Sequence, residues 1–147
     1  MLTKQLSIFI QNQPGHLAEI TEVLARNGID IRAINVTEGH DFGILRIIPD
    51  DPYKAEHILE EEGYLVKMAS VLAIEPDDRP GIMSEIFRAL ADAELDIKYI
   101  YSIIRPVHGK MPTIVLKTSD SAKAESVIRG LGIPVVSEDD IYQQVEG

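Results

Sequence analysis

The sequence predicts an α+β chain made of two copies of one β-α-β-β-α-β unit, with antiparallel sheets and helices on one face. Three observations carry that prediction. The segment Gln13-Pro14-Gly15-His16-Leu17-Ala18-Glu19-Ile20 returns 66 residues on as Arg79-Pro80-Gly81-Ile82-Met83-Ser84-Glu85-Ile86. The match then holds in register, with Leu24-Ala25 meeting Leu90-Ala91 and Ile29-Asp30-Ile31 meeting Leu95-Asp96-Ile97. Farther along the offset becomes 69: Lys54-Ala55-Glu56 meets Lys123-Ala124-Glu125, and Gly63 meets Gly132. The extra three residues fall between the second and third apolar runs of the second copy. A self-match at this period marks two copies of one supersecondary unit.

The elements follow in order. Leu6, Ile8 and Ile10 alternate on one face of a first strand, from Leu2 to Gln11. Pro14-Gly15 ends it, and Leu17, Ile20 and Leu24 come at helical spacing, with Pro14 expected at the first helical position. Asn27-Gly28 closes this helix, Gly supplying the left-handed position after the cap. A second strand runs from about Ile29 to Thr37. Its apolar phase slips by one residue between Ala33 and Ile34, and again between Tyr99 and Ile100 in the second copy, which predicts a bulge. Glu38-Gly39-His40-Asp41 is a hairpin turn before a third strand, Phe42 to Ile48. Asp51 caps a second helix with Pro52 behind it, Ala55, Ile58 and Leu59 form its buried stripe, and Gly63 ends it. A short strand from Tyr64 completes the ferredoxin-like unit. In the second copy the helices span about Gly81 to Ala93 and Asp120 to Leu131. Its longer hairpin lies around Pro106-Val107-His108-Gly109-Lys110 and holds the insertion.

No linker separates the copies: Tyr64 to Glu75 contains neither Pro nor Gly nor a serine cluster. The expected domains are 1–68 and 69–147. Units of about 70 residues bury too little surface to be robust alone, so the halves are expected to pack side by side and share an interface. The acidic run Ser137-Glu138-Asp139-Asp140 reads as a solvated stretch. Ile141 corresponds to Leu72 at offset 69, so the tail is also a candidate to imitate a strand and exchange edges between the halves.

Composition excludes several function classes. The net charge of −10 opposes nucleic-acid phosphates. Without cysteine there is no disulfide, thiolate metal site or cysteine nucleophile. No apolar run approaches the roughly 18 residues of a bilayer span, and the first residues lack a signal-peptide pattern. The expectation is a cytoplasmic protein with no membrane contact. Aromatics at 5% and an acidic surface do not suit an RNA-recognition sheet. No serine stands in a Gly-x-Ser-x-Gly turn, and no glycine run forms a phosphate loop. His57 and Glu61 are i, i+4 neighbours but sit in a crowded acidic helix, so no metal and no cofactor is expected, nor a catalytic residue.

The loop before the first helix is the strongest candidate site. It reads Asn12-Gln13-Pro14-Gly15-His16-Leu17, and its counterpart reads Asp78-Arg79-Pro80-Gly81-Ile82. Bare N–H groups at a helix start attract carboxylates and phosphates, and Asn12 offers both donor and acceptor. The plainer alternative is that Asn12 and Asp78 only cap their helices.

In its repeated setting this pattern resembles the ACT domain, a small module that binds amino acids and regulates their metabolism. The residues that carry the resemblance are the polar residue two before Pro-Gly, the helix that follows, and Gly28-Ile29-Asp30-Ile31 with Ala93-Glu94-Leu95-Asp96-Ile97. It covers nearly the whole chain, twice. It implies a non-catalytic regulatory protein that binds an amino-acid-like ligand at the seam between ACT units. It implies ligand contacts from Asn12 and from the start of the second strand, where Asp30, and Asp96 in the second copy, replace the family's Asn. The expected partners are that ligand, a second copy in a homodimer, and a metabolic enzyme. A ligand-free scaffold for assembly is the alternative. The first copy's loop is the expected main site, because Asp77 and Asp78 place negative charge beside the second.

Overall fold

The apolar alternation of the first residues makes β1 (Thr3–Gln11), in which Leu6, Ile8 and Ile10 are buried. The structure, a computed structural model, describes residues 2–11, 13–104, 107 and 112–143. Among these it has six strands and five helices, and the chain divides into two compact units. The first is Lys4–Ala69 and the rest of the described chain forms the second.

In the first unit β1 is followed by α1 (His16–Arg26), β2 (Ile31–Glu38), β3 (Phe42–Pro49) and α2 (Pro52–Glu61). Residues 66–69, the start of β4 (Val66–Ile74), complete it. The strand order is β2-β3-β1-β4, and β3 runs antiparallel to both β1 and β2. One face of this sheet, with Ile20, Val23 and Leu24 of α1 and Ala55 and Leu59 of α2, makes a single apolar core.

The second unit continues from Ser70 within β4 through α3 (Ile82–Asp92), β5 (Ile97–Ser102), β6 (Ile114–Thr118) and α4 (Ser121–Gly130) to α5 (Glu138–Tyr142). Its order is β4-β6-β5. Its core joins Leu72, Ile74 and Leu116 to Ile86 and Leu90 of α3 and Ala124 and Ile128 of α4, and Leu2 packs against it.

The expected bulge is present in both copies, one residue earlier than the apolar phase suggests. The β2–β3 register shifts between Ile31 and Ala33, and the β5–β6 register between Ile97 and Tyr99. Arg32 and Lys98 are therefore the extra residues. The expected fourth strand of the second copy is reduced to one bridge, Ile74 to Val135. Pro134 explains this: its carbonyl accepts from Glu75 N–H, but it has no N–H to extend a ladder. Asp139 and Asp140 of the acidic run are exposed, but the run is a short helix and not an imitation strand. Ser137 caps α5 by accepting from Asp140 N–H, and Ile141 is fully buried. Of the residues assigned to the longer hairpin, Pro106, His108, Gly109 and Lys110 lie outside the described residues.

Pro14 and Pro80 do not stand at the first helical position. Each is followed by a glycine at the N-cap with φ 88° and 90°, and each helix begins one residue later. The His16 N–H reaches the Gln13 carbonyl at 3.3 Å and the Ile82 N–H reaches the Arg79 carbonyl at 3.4 Å. These are type II turns, with Pro at the second position and Gly at the left-handed third. The N-cap of α3 is Gly81 and not Asp78, and that of α1 is Gly15. Asp51 and Asp120 do cap α2 and α4, accepting from Lys54 and Lys123 N–H.

Helices α1 to α4 all end in the same pair of bonds. After α1, Gly28 N–H reaches the Ala25 carbonyl and Ile29 N–H the Leu24 carbonyl, the 5→2 and 6→1 pattern of a left-handed cap. Gly28, Gly63 and Gly132 hold that left-handed position, but after α3 it falls to Glu94, with φ 59°. A side chain there costs about 1 kcal/mol. Glu94→Gly is expected to raise the midpoint of thermal unfolding by about 2–4 °C per kcal/mol gained, read by calorimetry. An unchanged or lower midpoint would show that no strain is stored at this cap.

Candidate functional site

The turn that starts α1 brings the end of β1 back over the helix. The Gln13 N–H donates to the Gln11 carbonyl at 2.8 Å. His16 Nδ1 lies 3.0 Å from Gln11 N and 3.1 Å from Gln11 O, so its tautomer decides which of the two it bonds. With Nδ1 bare the ring accepts from the amide, and with Nδ1 protonated it donates to the carbonyl. The ring also lies 5.8 Å from that of Tyr64. Burial, then the charges of Glu19 and Glu62, push the Tyr64 hydroxyl above its ordinary range.

Gln11, Gln13, Pro14, His16 and Glu19 line a recess of about 190 Å³ at this helix start. Leu17, on the first turn, is 38% exposed. The first N–H groups of a helix have no partner within it, and in α1 these include Leu17 and Ala18. An anion is favoured at such a terminus by about 0.3–1 kcal/mol. Gln13, Pro14, Gly15, His16 and Leu17 are thus together at one helix start, while Asn12 lies outside the described residues.

The second copy repeats this backbone with different side chains. Arg79 stands where the first copy has Gln13, and it reaches across the turn to Glu85. Nη1 meets Oε1 at 3.1 Å and Nη2 meets Oε2 at 2.8 Å, a two-pronged charged pair. This pairing holds the Glu85 carboxyl below the usual carboxylate range and the Arg79 guanidinium above its own. The neighbouring recess, lined by Glu75, Asp77, Arg79, Ile82, Glu85 and Pro134 among others, is about 70 Å³. Two carboxylates besides Glu85 border it, and its one guanidinium is engaged. In the first copy Glu19 has only the neutral Gln13 at the matching place, so this pair cannot form.

Asp30 and Asp96 sit elsewhere. The register places Gln11 beside Phe42 at the start of β3, and Ile31 beside Pro49 at its end. Seven strand steps of about 3.3 Å separate those ends by roughly 23 Å. Asp30 therefore stands at the opposite end of its own unit from the Gln13–Leu17 loop. There its N–H donates to Asp50 Oδ1, and its Oδ2 lies 2.6 Å from Nη1 of Arg32. Asp96 has the same position in the second unit, exchanging bonds with Ser119. His57 Nε2 lies 3.0 Å from Glu61 Oε1 on an exposed helix face.

The sequence reading missed the Arg79–Glu85 fork, the His16–Gln11 bonds and the role of Glu19 as a wall of the recess. All three depend on the left-handed glycine folding the loop onto the helix, and no helical or strand spacing rule links residues across that turn.

With this geometry in view, a family profile described as ACT domain pair matches residues 1–145. A solved structure of a protein from Bacteroides thetaiotaomicron is 33% identical, covers 97% of each chain and has a TM-score of 0.87. The regulatory subunit of aspartate kinase from Thermus thermophilus, in its ligand-free form, is 18% identical over 89% of this chain and 92% of its own, with TM-score 0.65. The Thermus flavus regulatory subunit is 20% identical over 90% and 92%, with TM-score 0.64. A search of curated proteins gives no match. The fold is thus one shared with regulatory subunits, two ferredoxin-like units in one chain. Within that class, this chain belongs to the ACT domain pair family.

The Arg79–Glu85 fork makes a pH prediction. A carboxyl held below its ordinary range adds stability above the unfolded-state value, and that stability is lost as pH falls through the lower, folded value. Both side chains are about half exposed, so the effect is small. Glu85→Gln is expected to lower the unfolding midpoint slightly at pH 7, with the difference from wild type vanishing well below pH 4. A difference that grows toward acid would contradict the pairing.

Proposed function

We propose that the chain is a non-catalytic sensor that takes a small amino-acid-like ligand at the start of α1. The observation that carries this reading is the open recess of about 190 Å³ in which the side chains of Gln11, Gln13, His16 and Glu19 meet at the start of α1. A zwitterion suits it: the carboxylate faces the N–H groups of Leu17 and Ala18, and the ammonium faces Glu19. Gln11 and Gln13 supply neutral donors and acceptors. Asn12 joins this set on the sequence pattern. Asp30 stands at the other end of its own unit and does not join this set from within that unit.

A ligand of about ten heavy atoms gains roughly −4 to −8 kcal/mol, hence millimolar to micromolar affinity. That range suits a protein that reports a metabolite level. Structural likeness to proteins named as regulatory subunits of aspartate kinase supports a role beside a metabolic enzyme. The competing reading, a scaffold without ligand, is favoured by the Arg32–Asp30 contact, which ties up a carboxylate the family pattern places at a ligand.

Thermal-shift measurement against the twenty amino acids at about 10 mM separates the readings. A ligand at a hundred times its dissociation constant adds about 2.7 kcal/mol, a shift of several degrees. Gln13→Ala and Asn12→Ala are expected to abolish most of the shift, while Asp78→Ala leaves it unchanged or larger. No shift with any amino acid leaves the scaffold as the answer. The reverse order among folded variants moves the site to the second copy.

A further inference from the structure

His16 does more in the first copy than line the recess. On one side of β1 the Phe9 N–H donates to the Leu65 carbonyl at 3.1 Å. Gln11, two residues on, turns its N–H to the same side, and its acceptor there is His16 Nδ1 at 3.0 Å. A strand N–H cannot turn away and needs an acceptor. In the neutral ring Nδ1 is therefore bare and the proton sits on Nε2. The Gln11 carbonyl lies almost as near, 3.1 Å from the same nitrogen. We propose that His16 is a proton-driven switch at the end of β1. The neutral ring accepts from the Gln11 N–H; the protonated ring releases that bond and donates to the Gln11 carbonyl.

Both partners belong to one residue, so the ring exchanges them with little movement. The Gln11 carbonyl already accepts from Gln13 N–H at 2.8 Å, and its two lone pairs take both donors. Charge sets the balance between the two states. The added proton meets the carboxylate of Glu19 on α1, which attracts it, and the positive end of the α1 dipole, which repels it. After α2 it meets Tyr64, whose ring lies 5.8 Å away, and Glu62, whose charge acts on that ring. Burial holds the Tyr64 hydroxyl above its ordinary range, so it stays neutral between about pH 5 and 8, the window in which imidazoles titrate. The second copy lacks the device, with Asp77 and Ile82 in the places of Gln11 and His16. Resting on the reading of this recess as a ligand site, the switch sets its charge. Above the transition Glu19 is the one charged group among the lining residues; below it the lining carries one charge of each sign. A ligand carboxylate then gains an attractive partner as pH falls.

Nuclear magnetic resonance of the free, isotope-labelled full chain tests the switch without any ligand. A coupling across the hydrogen bond, between the Gln11 amide nitrogen and His16 Nδ1, is expected at about pH 8 and is lost by about pH 5. The Gln11 amide proton is expected to shift with the same midpoint as the ring. His16→Asn, whose side-chain oxygen replaces Nδ1 as acceptor without titrating, is expected to hold that amide constant over the same range. A ring protonated on Nδ1 at about pH 8, a Gln11 amide that ignores the ring's titration, or a His16→Asn chain whose Gln11 amide titrates as wild type does would each overturn the proposal. A failed thermal-shift screen would remove the ligand reading and leave the switch standing, whereas a failed titration here removes the switch alone.

Discussion

The left-handed glycine after Pro14 and after Pro80 is the constraint on which the rest of each unit depends. With φ near 90°, Gly15 and Gly81 close a type II turn that an ordinary residue enters only with strain. The turn reverses the chain at the end of the first strand and sets the helix back over the sheet. Ile20 and Leu24, or Ile86 and Leu90, then reach the core. It also decides that no side chain caps these two helices, so their first N–H groups face outward instead of being satisfied from within. The fold and the proposed ligand site depend on the same two residues.

On that shared backbone the copies have diverged in their side chains. Gln13 leaves the first helix start open, whereas Arg79 folds onto Glu85 and narrows the second. His16 ties back to Gln11 where the second copy has the apolar Ile82, which is buried. A duplicated unit can keep one binding copy and adapt the other, because packing is set by the periodic apolar residues and the loop chemistry is not. The Glu94 cap shows the same latitude: the left-handed geometry is retained although glycine is not.

Much of the fold was legible because it is written in local patterns. The repeat, the alternation of β1 and β3, the Asp51-Pro52 helix start and the glycine stops each rest on a short-range rule. The readings that failed required knowledge of what a residue meets across a turn. Pro14 resembled a first helical residue until the glycine behind it proved left-handed. The bulge fell at Arg32 and not beside Ile34, since edge-strand apolar phase reflects exposure as well as register. Pro134 cut the last strand to one bridge, and Ser137 turned an acidic run into a helix whose Ile141 is buried. The loop was found as a candidate from its residues, but its inequality with the second copy could be argued only from charge. The Arg79–Glu85 fork supplies the geometric reason.

The two loops share one backbone and differ in how open their helix starts are. Native mass spectrometry of the full chain, titrated with the amino acid that stabilises it most, counts the ligands directly. One ligand per chain is expected, with Gln13→Ala abolishing it and Asp78→Ala sparing it. Two ligands of equal affinity per chain would contradict the claim that the fork closes the second helix start.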